Sequence, residues 1–150
     1  MEETILACPL IRGERILVAL DGSVHSAKAL DQALSLAKVC GSKLFLIGVV
    51  DLYPEVLEKA AAAVETLSAE VGEILKRGNE KAEKEGVESE TIVHIGKNVH
   101  EFIVTEAKAK NVDLIAMGTH GRTGLKGFFM GSVAQRVIAH APCAVLVTPA

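Results

Sequence analysis

The chain has 150 residues, 49% of them hydrophobic, and a formal net charge of −3 at pH 7. That length matches one domain with one hydrophobic core, and without a Lys/Arg run it offers no electrostatic footprint for nucleic acid or an anionic membrane. The longest apolar stretches, such as Lys43 to Val50 and Cys143 to Val147, are too short to cross a bilayer.

Met1 to Gly13 has no readable pattern and no basic stretch leading into an apolar one, so a secretory signal is not expected and a cytoplasmic location is. We divide the chain into an N-terminal extension, residues 1–14, and a domain over 15–150. Cys8, Cys40 and Cys143 are odd in number and widely spaced, which suggests small, partly buried thiols rather than a disulfide framework or a zinc site.

Arg15 to Leu20 is an apolar run that stops at Asp21-Gly22-Ser23, the chemistry of a strand entering a turn and a helix cap. Ala27, Leu30, Leu34 and Ala37 recur at helical spacing up to Gly41, predicting a helix over Ser23 to Cys40. Lys43 to Val50 is a second buried strand. After Pro54, apolar positions from Val56 to Leu75 predict one long amphipathic helix reaching about Glu85, with a ragged start around Tyr53 to Leu57.

Past Gly86, Val87, Ser89, Thr91, Val93 and Ile95 alternate with mostly polar neighbours, as in a strand at a sheet edge. Val99, Phe102, Ile103 and Ala107 mark a helix, and Val112 to Met117 a fourth strand. Met130, Val133, Ala134, Val137 and Ile138 predict a last helix starting near Gly131 and ended by Pro142, before a fifth strand, Cys143 to Thr148. The alternation predicts an α/β fold: an open, five-stranded parallel sheet with helices on both faces.

In such sheets ligands sit beyond the carboxyl ends of the strands, where the winding reverses. The fourth strand runs into Gly118, Gly121, Gly124, Gly127 and Gly131, followed by Ser132. Glycine lets a backbone approach phosphate closely and accepts positive φ, and the start of the last helix attracts anions. Ser132 offers its hydroxyl either to phosphate or as a cap. Asp21 is open to a capping or a metal-binding role. His120 is expected to point to solvent, and Arg122 and Lys126 are candidate phosphate screens. His25, His94, His100 and His140 share no spacing with carboxylates that would indicate a metal cluster.

Gly118, Gly121, Gly131 and Ser132 match G-x2-G-x9-G-[ST] between a buried strand and a helix, and neither common phosphate-loop pattern applies. Together with Ile16-Leu17-Val18-Ala19-Leu20-Asp21-Gly22-Ser23 and Pro142 to Val147, this resembles the ATP-binding branch of the universal stress protein family over nearly the whole chain. The resemblance implies a Rossmann-like fold of the adenine nucleotide alpha-hydrolase type with strand order 3-2-1-4-5. It implies an adenosine pocket of Ala19, Leu20, Asp21, Val49, Met117 and Gly118. It further implies ribose and phosphate contacts at Gly121, Gly131, Ser132 and Val133, and Mg²⁺ or Mn²⁺ near Asp21, directly or through water. It also implies a stress-response regulator that binds ATP or another adenine nucleotide and hydrolyses it slowly or only with a partner, and a homodimer formed through the last strand. A small adenylating enzyme of the nucleotide alpha-hydrolase type and an electron-transfer flavoprotein-like domain share the architecture, and a family member that does not bind nucleotide is a further alternative.

Overall fold

The computed structural model describes residues 7–121 and 130–149. Over these the chain forms β1 (Arg15–Ala19), α1 (Val24–Cys40), β2 (Lys43–Val50), α2 (Pro54–Lys59), α3 (Ala61–Lys84), β3 (Ser89–Ile95), α4 (Val99–Ala109), β4 (Leu114–Gly118), α5 (Ser132–His140) and β5 (Ala144–Thr148). The sheet order is β3-β2-β1-β4-β5, all parallel, as expected. The chain winds outward from β1 through β2 to β3, then returns to β4 on the other side of β1. The reversal falls between β1 and β4.

Strand residues alternate between two cores. Ile16, Val18 and Leu20 pack with Leu30, Leu34 and Leu75 from α1 and α3, whereas Leu17, Ile47 and Ile115 pack with Ile103 and Val137 from α4 and α5. Burial on both faces explains why β1, β2 and β4 read as unbroken apolar runs rather than alternating ones. α5 ends where Ala141 turns extended (φ −61°, ψ 138°), the conformation that the following Pro142 favours.

Three expectations are corrected. The predicted long helix is two: Ala60 leaves the helical region (φ −141°, ψ 57°) and separates α2 from α3. The apolar spacing runs through both pieces, so periodicity does not reveal the break. At the β3 edge, the register Ile47↔Ile92 places Ile92 on the α4 side, while Val93 and Ile95 are 49% and 40% exposed.

The third correction concerns the cysteines: Cys8 and Cys40 form a disulfide across 32 residues of sequence, and Cys143 is the free thiol among the described residues. α1 returns the chain to the sheet end where β1 began, which brings Cys40 to the N-terminal segment. There Ser42, itself buried, donates from its hydroxyl to Gly13 O, and Leu10 packs against the α1–α3 core.

Candidate functional site

A cavity of about 830 Å³ opens beyond the carboxyl ends of β1, β2 and β4. All ten residues expected at a nucleotide site line it: Ala19, Leu20 and Asp21 after β1, Val49 on β2, Met117 and Gly118 on β4, Gly121, and Gly131, Ser132 and Val133 at the start of α5. Ile47, Val50 and Ile103 extend the apolar wall, and Leu67 and Val71 add to it from α3. Arg122, Lys126 and the loop glycines Gly124 and Gly127 lie outside the described residues.

The start of α5 is tied to the exit of β4. Gly131 N–H donates to Thr119 O at 2.8 Å, and Thr119 N–H donates to Thr148 O at 3.0 Å. Gly131 is the N-cap residue (φ −62°, ψ 157°) and no side chain caps the helix, so Ser132 is the first helical residue rather than the cap. The opening N–H groups of an α-helix have no partner within it, and they carry its positive dipole end. Here those groups border the cavity.

The motif glycines serve this convergence by their lack of a side chain. Positive φ, expected of them, is found elsewhere: among the described glycines it occurs at Gly13, Gly22, Gly41, Gly86 and Gly96. A Cβ at Gly121 would sit 2.8 Å from Asp21 Oδ2, and one at Gly131 would sit 3.0 Å from Thr119 O. Each absent side chain lets a different segment close on the β4 exit.

Asp21 folds back into its own turn. Its Oδ1 accepts from Ser23 N–H at 2.9 Å, while Ser23 is the N-cap of α1 and accepts from Ser26 N–H at 3.1 Å. Capping therefore belongs to Ser23, leaving Asp21 Oδ2 on the Gly121 side. At the far rim Asp51 pairs with Lys97 at 3.1 Å, and Lys97 stands 4.5 Å above the Tyr53 ring.

One histidine expectation, that His120 points to solvent, is corrected. His120 is half-buried and faces Thr119, with Nδ1 3.1 Å from Thr119 Oγ1; His25 Nδ1 reaches the same oxygen at 3.0 Å. His94, on β3, pairs with Glu106 at 2.8 Å and stacks on Phe102. Sequence spacing cannot find these contacts, because folding alone brings positions 25 and 119, or 94 and 106, together. Among the described residues no group of three His, Cys, Asp or Glu side chains is placed to hold a metal ion.

Thus one end of the cavity is apolar and suited to a flat ring, and the other gathers main-chain and hydroxyl donors suited to an anion. Among the described residues no helix is long and apolar enough to cross a membrane.

The profile of the universal stress protein family matches residues 13–149. Universal stress protein MJ0531 of Methanocaldococcus jannaschii is 40% identical over 138 residues, 89% of this chain and 81% of its own. The structure of hypothetical protein MJ0577 superposes with a TM-score of 0.84 at 28% identity, covering 93% of this chain and 98% of that one. At 24% identity, the universal stress protein from Archaeoglobus fulgidus in complex with dAMP has a TM-score of 0.65 over 90% of this chain and 97% of its own.

Proposed function

This chain belongs to the universal stress protein family, and on that premise we propose that it is a nucleotide-responsive regulator that binds ATP or another adenine nucleotide in the cavity beyond β1, β2 and β4. The observation that carries this reading is the convergence of the β4 exit and the α5 start, through the Gly131–Thr119 bond, beside an apolar wall. The base would lie against Ala19, Val49 and Met117. The phosphates would meet the amides of Ser132 and Val133 and the hydroxyl of Ser132. The Archaeoglobus fulgidus match speaks for the fold, and the ligand class rests on this chain's own residues.

A divalent cation would arrive with the nucleotide. Asp21 Oδ2, on the Gly121 side, is the carboxylate oxygen that would hold it, directly or through water. Any hydrolysis is slow or partner-dependent. The half-buried apolar residues Val145, Leu146 and Val147 on edge strand β5 favour pairing with a second copy.

Isothermal titration of nucleotide-free protein with Mg-ATP tests the reading. Saturable binding that Gly131→Val abolishes is expected, and wild-type protein that takes up no adenine nucleotide overturns it. Mass spectrometry of small molecules released from purified protein identifies the nucleotide, and gel filtration with light scattering reads the dimer.

A further inference from the structure

The polar cluster least explained by the cavity's outline is centred on Thr119. Its Oγ1 lies 3.0 Å from His25 Nδ1 and 3.1 Å from His120 Nδ1, and the two rings meet edge to face with centroids 5.3 Å apart. Thr119 and His120 both line the cavity. The main chain of Thr119 is bonded to β5 through Thr148 O and to α5 through Gly131 N. Its main chain is therefore held from β5 and α5, and its hydroxyl by His25 of α1 and by His120.

A hydroxyl carries one proton and two acceptor lone pairs, and a neutral imidazole carries a proton on only one nitrogen. Two arrangements satisfy the cluster. In one, a ring donates Nδ1–H to Oγ1 and the hydroxyl donates to the bare Nδ1 of the other. In the other, both rings donate Nδ1–H to Oγ1, and the hydroxyl proton is released toward a third group. An uncharged neighbour leaves both arrangements open. An oxyanion, which only accepts, takes the hydroxyl proton and selects the second.

We infer that Thr119 reads the phosphoryl tail of the bound nucleotide, its hydroxyl donating to a phosphate oxygen while His25 and His120 both turn Nδ1–H toward it. The inference rests on the proposed adenine-nucleotide site and deepens it: the ligand class becomes nucleotides with a phosphate tail, as against free nucleosides. His25 does not line the cavity and acts as a positioning residue, through Thr119.

The experiment compares adenosine, AMP, ADP and ATP by isothermal titration against wild type, Thr119→Val and Thr119→Ser at one pH and ionic strength. Thr119→Val is expected to weaken at least one phosphorylated ligand roughly ten- to hundredfold, the effect of a lost hydrogen bond to a charged group. Adenosine affinity should stay unchanged, and Thr119→Ser should restore the wild-type ratio. The first phosphate number at which the loss appears identifies the phosphate that is read.

On wild-type protein, ¹⁵N spectra of the imidazoles should show both His25 and His120 as Nδ1–H with ATP bound but not with adenosine. A merely structural role would move none of these signals selectively. Equal losses for all four ligands, no loss at all, or rings left in opposite tautomers under ATP would each overturn the inference. Wild-type protein that binds adenosine and ATP equally well sinks it while leaving the cavity reading intact; protein that binds neither removes both.

Discussion

Gly118 and His25 compete for one volume: a Cβ at position 118 would run into the Cβ of His25 and lie 2.9 Å from its carbonyl carbon and 3.1 Å from Ser26 N. Those last two atoms belong to the backbone of the first turn of α1 and cannot swing aside. Gly118→Ala should therefore cost about 1–3 kcal/mol by urea unfolding, the usual cost of overpacking, and Gly118→Val more. Gly121→Ala meets the end of the Asp21 side chain, which can rotate, and should cost less. Equal losses at the two positions would refute the steric account.

Val49 offers the complementary test. It is half-buried on β2 and lines the cavity, so Val49→Trp should fill the space assigned to the base. Titration should show adenosine and ATP weakened alike, by tenfold or more, with the unfolding midpoint near that of wild type. Loss of ATP binding alone would place the base elsewhere.

The Cys8–Cys40 cross-link closes a long loop and lies at the sheet end away from the cavity. Chain-entropy reasoning gives about 3–4 kcal/mol for a loop of this length. Cys8→Ser should lose about that much in denaturant without reductant, and dithiothreitol should bring wild type to the same value with no further effect on the variant. Nucleotide affinity should be unchanged throughout. A thiol count of one before reduction and three after would check the bond itself.

Burial pushes the Cys143 thiol above its ordinary range, the negative charge of Asp113 adds to this, and a hydrogen bond from the backbone at Ile115 opposes it. Such a thiol stays protonated in the fold at a pH where the unfolded chain has already lost the proton. Its contribution to stability is whole below the unfolded value and fades as pH rises through the folded one. Iodoacetamide should label Cys143 in oxidised protein more slowly than a free thiol across pH 7–9, and labelling at the free-thiol rate would contradict the burial.

The sheet was readable because strands buried on both faces leave plain apolar runs and glycine marks helix ends: β1, β2 and β5 lie within the predicted segments, and β4 passes its predicted end by one residue, Gly118. Gly118, Gly121, Gly131 and Ser132 were readable because G-x2-G-x9-G-[ST] joins a strand exit to a helix start, and the other expected lining positions came from the family resemblance. What escaped depends on folded proximity. Nothing in the spacing of Cys8 and Cys40 announces a bond, since α1 must first bring its end back to the N-terminal segment. His120 looked like a loop side chain because its partner, Thr119, acquires meaning only once His25 arrives from α1. The break at Ala60 is a backbone event at a residue that suits either side of it.

Between Cys8 and Cys40 the polypeptide is a covalent ring, and that ring contains all of β1 and α1. Asp21, on one wall of the crevice, and His25 behind it thus belong to a single closed macrocycle that stays joined even when the rest of the molecule separates from it. Thr119, His120 and Ser132 stand on the other wall, outside the ring. Whatever loosens the crevice has to act along the seam between β1 and β4, and a guest bridging the two walls would tie the free part of the chain to the part already fastened.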